Sequence, residues 1–353
     1  MAGFSFRLSI LSEGRYDAQM VTIHDIARET GVSPNTVARI LGGRRGRPYN
    51  EGKVLKAARR LGYVRNLQAS NLRSGRSGLI GLLVPDIRNP QHTEFFQLLQ
   101  DAANPMGFQI LLFSSGGRMR QELHALQRME QSRVDGLILN ASEGETDEGC
   151  DEILQRFLTR KTPVVLAGRP ERTIRADEIV IDNHAGMRNM VRYLAKTGRT
   201  KIAFVCGDRQ SLATRERHEA CLATVKKLKL EARTEWSQFG EYTPESGAQQ
   251  TARLLQMNPR PDAIVAGNDL LAAGALRVLL DAGVMVPDDV AVTGFDDIPL
   301  ASLVSPRLTT LRQPREKIAR EVMELLQERI STRSVDAPKK LHYEPELVVR
   351  QSA

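Results

Sequence analysis

Cysteine is scarce in this chain: Cys150, Cys206 and Cys221 are the three in 353 residues. An odd number at wide spacing excludes a disulfide framework, offers no zinc-ligand pattern, and fits a reducing cytoplasm. The six histidines are equally scattered, so no metal or other cofactor is expected. No apolar run approaches the ~18 residues that a membrane span needs, which argues against a membrane partner. The opening FSFRLSIL carries an arginine and lacks a small-residue cleavage site, so it makes a poor secretory leader. Catalytic signatures are missing too: there is no Gly-Lys-Ser/Thr phosphate loop, no Gly-x-Ser-x-Gly elbow and no His-Glu-x-x-His. The adjacent carboxylates of GFDD, Asp296 and Asp297, point apart from one strand end rather than flank one bond. No enzyme is expected.

What the chain does have is charge concentrated in one place. From Val21 to Ser77 there are 12 Lys/Arg against 3 Asp/Glu, a local +9 in a chain of net charge +8. The first 20 residues balance, so everything beyond Ser77 sums to −1. A basic module on a near-neutral body points to a polyanion partner at one end only.

The organising stretch lies inside that module, VTIHDIARETGVSPNTVARIL, and it reads as two short helices joined by a tight turn. Thr22 and Asp25 have the spacing of a capping box, and Ile23, Ile26 and Ala27 supply an apolar face. Gly31 permits a left-handed turn, with Val32 tucked into the angle. Ser33 caps the second helix, Pro34 takes its first position, and Val37, Ile40 and Leu41 share one side. Asn35 and Arg39, four apart, project from the opposite side with Thr36 nearby. Asn can bond adenine in two places and Arg guanine, so this face suits reading of major-groove base edges in double-stranded DNA. Pro48 then opens a third helix, with Val54, Leu55, Ala57, Ala58 and Leu61 as its buried stripe and Gly62 at its end. Asn66 to Arg73 is helix-compatible but only about two turns long, hence marginal alone. A Ser/Gly joint follows it.

From Leu79 the texture changes to short apolar runs alternating with helical segments. LIGLLV, FQILLF, VDGLIL, PVVLA, KIAFVC, DAIVAG and DVAVTGF read as strands, and Gly186–Lys196, Glu216–Lys229 and Leu270–Ala282 as helices between them. LHYEPELVVR reads as the last strand. The alternation predicts an α/β body with parallel sheets, and its length predicts two lobes with a ligand cleft between them. The expected division is an extension at 1–20, disordered, with Met20 as an alternative start; a headpiece at 21–65; a hinge helix and linker at 66–77; and a two-lobed domain at 78–353. A secreted transport protein would need a leader and no basic headpiece. A sequence-indifferent architectural DNA binder would not need so large a ligand-type body.

These stretches together resemble the LacI/GalR family of bacterial transcriptional regulators, over about residues 21–350. The resemblance rests on the helix-turn-helix run and on VPDIRNP, VDGLIL, IVIDNHAG, RERHEA, GNDLLAAGAL and VPDDVAVTGFDDIPLA with TTLRQP behind it. It implies a DNA-binding headpiece, a hinge helix and a two-lobed core like that of periplasmic sugar-binding proteins. It also implies a cytoplasmic homodimer, at the nucleoid when on operator, whose operator affinity a small-molecule effector sets. Carried over, Pro34, Asn35 and Arg39 fall where bases are met, and Thr36 where a phosphate is touched. Thr22, Ser33, Arg44, Arg45 and Asn50 complete the expected headpiece contacts. Leu72 falls at the hinge leucine that wedges into the minor groove, with Ala69 on the same face and Asn66 at the start of that helix. Arg217 and Asp296 fall at the effector-binding Arg and Asp, an expected donor–acceptor pair across the cleft. Asp86, Asn89, Gln91 and Asn268 complete the expected effector set, while Asp269 and Asp297 are expected to cap helices or support the site.

Departures from the pattern shape the expectation. Asn50 and Glu51 replace a Thr and an Arg that usually clamp the DNA backbone, and the Arg44, Arg45 and Arg47 loop can compensate. Arg65 stands in place of a common Pro. Gln91 and His92 stand where many members carry an aromatic pair that stacks on a ligand ring. That favours a sugar, sugar acid or sugar phosphate, with a purine or nucleoside as the alternative. No leucine-heptad tail follows the last strand, so a tail-zippered tetramer is not expected.

Overall fold

The computed structural model describes residues 21–42, 47–63, 76–140, 148–167, 174–333 and 337–353. The chain divides into two compact units, Met1–Gly75 and Arg76–Ala353. The expected 1–20 extension and the hinge helix at 66–73 lie outside the described residues.

In the first unit, α1 (Ile23–Thr30), α2 (Pro34–Leu41) and α3 (Pro48–Arg60) enclose a small core of Ile26, Val37, Ile40, Val54, Ala57 and Ala58. Ile26, Val37 and Val54 are fully buried. Each such side chain contributes about 1.5–3 kcal/mol, a large share for so small a unit. The caps form as the sequence predicts. Thr22 and Asp25 bond reciprocally, and Ser33 Oγ accepts from the Thr36 amide at 3.4 Å. Gly31 adopts φ +67°, the left-handed turn that Cβ would disfavour. Leu55 is corrected: it is 38% exposed rather than part of the stripe. Val54, Ala57, Ala58 and Leu61 already fill positions i, i+3, i+4 and i+7, and Leu55 lies about 60° or more around the helix from each of them.

The second unit holds two lobes. The first lobe is a parallel sheet of β1 (Leu79–Val84), β2 (Gln109–Ser114), β3 (Gly136–Asn140), β4 (Val164–Ala167), β5 (Asp177–Ile181) and β11 (Lys340–Tyr343), in the order β11-β5-β4-β3-β1-β2. Its strands are apolar on both sides because helices cover both faces. On one face Leu82, Val84 and Ile138 pack with α4 (Pro90–Ala103) and α12 (Arg315–Thr332). On the other, Leu83, Leu137 and Leu139 pack with α5 (Met119–Gln131) and α6 (Glu148–Thr159). The second lobe is a parallel sheet in the order β7-β6-β8-β9, of β6 (Ile202–Cys206), β7 (Ser237–Phe239), β8 (Ala263–Ala266) and β9 (Ala291–Thr293). It is covered by α7 (Asn183–Lys196) and α8 (Leu212–Lys227) on one side, and by α9 (Pro244–Leu255), α10 (Asp269–Asp281) and the short α11 (Leu300–Leu303) on the other.

The chain passes between lobes at three places, and these set the hinge. β5 hands directly to α7, β10 (Thr310–Arg312) hands to α12, and β11 hands to β12 (Glu346–Val348). LHYEPELVVR is therefore not one strand. Pro345 breaks it, β11 joins the first-lobe sheet beside β5, and β12 pairs antiparallel with β10. DVAVTGF also shortens to β9, because Gly294 turns to bond Thr309 and Asp296 adopts φ +103°. Within the first lobe, a buried Arg329 of α12 holds Asp177 of β5 in two bonds of 2.9 and 3.2 Å, and Asp177 also accepts from the Lys339 amide. Among the described residues no helix is long and apolar enough to cross a membrane.

Candidate nucleic-acid interface and ligand cleft

On α2, Pro34, Asn35 and Arg39 are exposed, and Asn35 and Arg39 stand on the side opposite buried Val37 and Ile40. Neither Asn35 nor Arg39 is engaged by another described residue, so both side chains keep their full donor capacity. Thr36 is half-buried, and its hydroxyl shares a 2.9 Å hydrogen bond with Ser33. Thr22 and Ser33 are exposed at the two helix N-termini, where free amides suit a phosphate. Asn50 lies in the first turn of α3, half-buried. Arg44, Arg45, Asn66, Ala69 and Leu72 lie outside the described residues.

In the second unit one cavity of about 540 Å³ lies at the C-terminal ends of both sheets, where parallel folds place ligands. Asp86, Asn89, Gln91, Arg217, Asn268 and Asp296 all line it. The structure gives each a different freedom. Asp86 is clamped by Arg88, whose Nε and Nη2 reach its carboxylate at 2.8–3.0 Å and hold its pKa below the usual range. Asn89 and Asn268 spend their side-chain oxygens capping α4 and α10, on the amides of Gln91 and Leu271. Arg217 is fixed on three sides: Nε donates to Asn183 at 2.9 Å, Nη1 donates to the Gly267 carbonyl at 2.7 Å, and the guanidinium lies over Phe295. Asp296 accepts from Gln313 at 2.9 Å; burial pushes its pKa up, against the pull of Arg217 and Arg315.

The expected Arg–Asp pair across the cleft is corrected. Arg217 rises from α8, after β6, and Asp296 from the turn after β9, so both belong to the second lobe. No ion pair joins them among the described residues. They form one polar wall, with donor and acceptor presented side by side. Asp269 does not cap its helix; it bridges Thr310 at 2.5 Å and the Ile298 amide at 2.8 Å, supporting the same turn. Asp297 supports it too, through Arg350 and Arg312, both at 2.6 Å.

Several cleft residues were not singled out from sequence. Tyr242 presents a ring from the second lobe; it lies so close over Gly207 that any Cβ there would collide with it. Its hydroxyl bonds Thr214 at 2.6 Å, which fixes the ring. Little in the sequence signals it, because Tyr242 lies three residues past β7, a three-residue strand that no sequence period marks. Asn183 orients both Arg217 and Glu216, and it sits inside the quoted run IVIDNHAG. Gln313 and Arg315 arrive from the β10–α12 crossing, which no sequence period marks. His92 lines the first-lobe wall with its Nδ1 buried and unpartnered, and burial lowers its pKa to about 4, so it is neutral. Among the described residues no cluster of His, Cys, Asp or Glu could hold a metal ion.

A headpiece with a solvent-facing reading helix, carried on a two-lobed body with a polar cleft, defines a ligand-binding DNA regulator. Comparison with known proteins agrees. Residues 22–66 match the bacterial regulatory proteins of the lacI family, and residues 191–353 match the periplasmic binding protein-like domain. Catabolite control protein A of Priestia megaterium is 32% identical over 319 residues, spanning 90% of this chain and 95% of that protein. The HTH-type transcriptional repressor PurR of Vibrio parahaemolyticus is 30% identical, over 94% of this chain and 98% of that one. Among solved structures, the transcriptional regulator CelR–cellobiose complex superposes with TM-score 0.71 and 28% identity, over 94% of this chain and 100% of that one. The lac repressor dimer bound to operator and the anti-inducer ONPF superposes with TM-score 0.81 at 24% identity, over 95% and 99%, and shares the fold. The chain belongs to the lacI family of bacterial regulatory proteins, and it is a DNA-binding transcriptional regulator.

Proposed function

We propose that the chain works as a homodimeric, sequence-specific repressor whose operator grip is set by a small polar ligand held between the lobes of residues 78–353. The observation that carries this reading is the single polar wall of Arg217 and Asp296 facing a cavity of about 540 Å³. A fixed guanidinium and a carboxylate side by side match the alternating donors and acceptors of a sugar or sugar acid. The fixed Tyr242 ring beside them suits the apolar face of a pyranose. The similarity to CelR, which is complexed with cellobiose, supports the same class. A nucleoside would use the same ring, and it is the second reading.

On the DNA side, Pro34, Asn35 and Arg39 of the 21–65 headpiece meet base edges. Thr22, Ser33, Thr36, Asn50, Arg44 and Arg45 meet the backbone. Asn66, Ala69 and Leu72 belong to a hinge segment that enters the minor groove at the operator centre. Asp86, Asn89, Gln91 and Asn268 border the ligand, with Gln91 the freest of them. The protein acts by binding, without a catalytic step, in the cytoplasm at its operators. A thermal-shift screen of sugars, sugar acids, sugar phosphates and nucleosides tests the ligand class. A ligand at 100 times its Kd adds about 2.7 kcal/mol of stability. Stabilisation by a sugar-type compound that vanishes in Arg217→Ala supports the reading, and stabilisation only by nucleosides replaces it with the second.

A further inference from the structure

Arg315 is the first residue of α12, an 18-residue helix, and a cation there opposes the helix dipole. The chain holds it in place with three strong partners. Nη1 donates to the Asp296 carbonyl at 2.7 Å, and Nη2 donates to the Asp297 carbonyl at 3.1 Å. The same Nη2 lies 3.0 Å from Glu94 Oε2. The Arg315 side chain is 11% exposed, so these contacts are largely shielded from water.

The partners lie on both sides of the cleft. Asp296 and Asp297 form the second-lobe turn that presents the Asp296 carboxylate to the cavity, at φ +103° and +52°. Residues without a glycine's freedom hold such φ values only where their surroundings over-determine them. Gln313, Arg312 and Arg350 pin the side chains of that turn, and Arg315 pins its two carbonyls. Glu94 lies on α4, which packs on the first-lobe sheet beside α12. Of the turn's anchors, Arg315 is the one that continues into the first lobe.

We propose that Arg315, at the head of the first-lobe helix α12 and held there by Glu94, is a positioning residue that shapes the Asp296–Asp297 turn and latches it to the first lobe, so that the resting angle between lobes depends on this contact. A ligand that moves the Asp296 turn then moves α12 through one guanidinium, and opening of the cleft costs the shielded hydrogen bonds to that turn. The latch is a property of the ligand-free protein. It goes beyond the proposed ligand class and stands or falls without it.

The test is a spin-label distance measurement on the full-length, ligand-free protein carrying Arg120→Cys on α5 and Gln249→Cys on α9, both exposed positions on different lobes. Labelled chains are diluted with unlabelled ones so that distances within one chain dominate. The native cysteines are all buried. With the latch intact the distribution is narrow. Glu94→Gln, which keeps size and an acceptor but loses the charge, adds a longer-distance population. Arg315→Lys, which cannot reach two carbonyls and a carboxylate at once, adds a larger one, and Glu94→Asp restores most of the narrow peak. Thermal midpoints are measured alongside, since a merely structural contact lowers the midpoint without shifting the distance. An Arg315→Lys distribution identical to wild type overturns the proposal, because that guanidinium is what joins the first-lobe helix α12 to the second-lobe turn.

Discussion

Arg217 lies over Phe295, with its guanidinium carbon 3.5 Å from the ring centroid, and the next residue along the chain from Phe295 is Asp296. The cation and the acceptor of the cleft are therefore built on one piece of structure. Stacking on the aromatic face leaves the guanidinium edge available, and cation–π contact contributes about 0.5–2 kcal/mol to holding it there. Phe295 is fully buried, so its ring cannot swing away. Phe295→Leu is expected to keep the fold near wild-type stability while weakening binding of the ligand found in the screen by roughly 5–30-fold, a loss of about 1–2 kcal/mol. Calorimetric titration of both proteins checks this. Unchanged affinity would mean that the stacked geometry of Arg217 is irrelevant to recognition.

On the DNA side, Arg39→Ala should relax sequence choice at one operator position. The cost is ~1–3 kcal/mol if the contact is bidentate to guanine. Arg44→Ala should instead weaken binding to all sequences and flatten the salt slope. Gel-shift titrations on operator and random DNA at two salt concentrations separate them. Equal losses on both DNAs from both changes would remove base reading from Arg39.

His92 gives a pH dependence with a definite sign. Burial, opposed by the charge of Asp86, holds its folded-state pKa at about 4, whereas in the unfolded chain it titrates near the ordinary value of 6.5. As pH falls below 6.5 the unfolded state takes up a proton that the folded state refuses. Its contribution is therefore present above about pH 6.5 and is lost progressively down to about pH 4. Between pH 7 and pH 5 the loss is about 2 kcal/mol. Urea denaturation of wild type and His92→Phe at the two pH values should show a smaller fall in the mutant. Equal falls in the two proteins would show that His92 titrates normally in the folded state.

Much of the site was readable because it follows chain-local rules. Thr22, Gly31, Ser33 and Pro34 announce the two-helix unit through caps and a turn, and strand ends announce Asn268 and Asp296 through the α/β alternation, whereas Arg217, inside α8, came from the resemblance of RERHEA alone. What was not readable depends on which lobe a segment belongs to. The sequence around Asp296 and Arg217 does not say that both stand on the same wall; that follows from β6, β8 and β9 being neighbours in one sheet. LHYEPELVVR looks like one strand because both halves alternate well, yet Pro345 sends them to different lobes. Gln313 and Arg315 reach the cleft from another crossing, where no period marks an inward side.

The first lobe also holds a buried ion pair, between α12 and β5. Arg329 and Asp177 are each about 5% exposed, and removing Asp177 takes away the carboxylate that holds the buried guanidinium in two hydrogen bonds. Asp177→Ala should cost about 3–5 kcal/mol. Chemical denaturation followed by circular dichroism measures it. A change under 1 kcal/mol would mean that water reaches Arg329 in the folded state.

The central claim is that occupancy of the cleft and occupancy of the operator are linked. The most direct measurement titrates operator DNA into wild type and Arg217→Ala, each with and without a saturating amount of the ligand that the thermal-shift screen identifies. In wild type the ligand should change operator affinity by a factor that operator returns on ligand affinity, as linkage requires. In Arg217→Ala the ligand should change nothing. If the ligand is an inducer, the mutant's ligand-free operator binding stays near wild type; if it is a corepressor, tight operator binding under ligand disappears. A mutant that still binds the ligand with wild-type affinity and still responds on operator would contradict the account, because the site would then lie elsewhere.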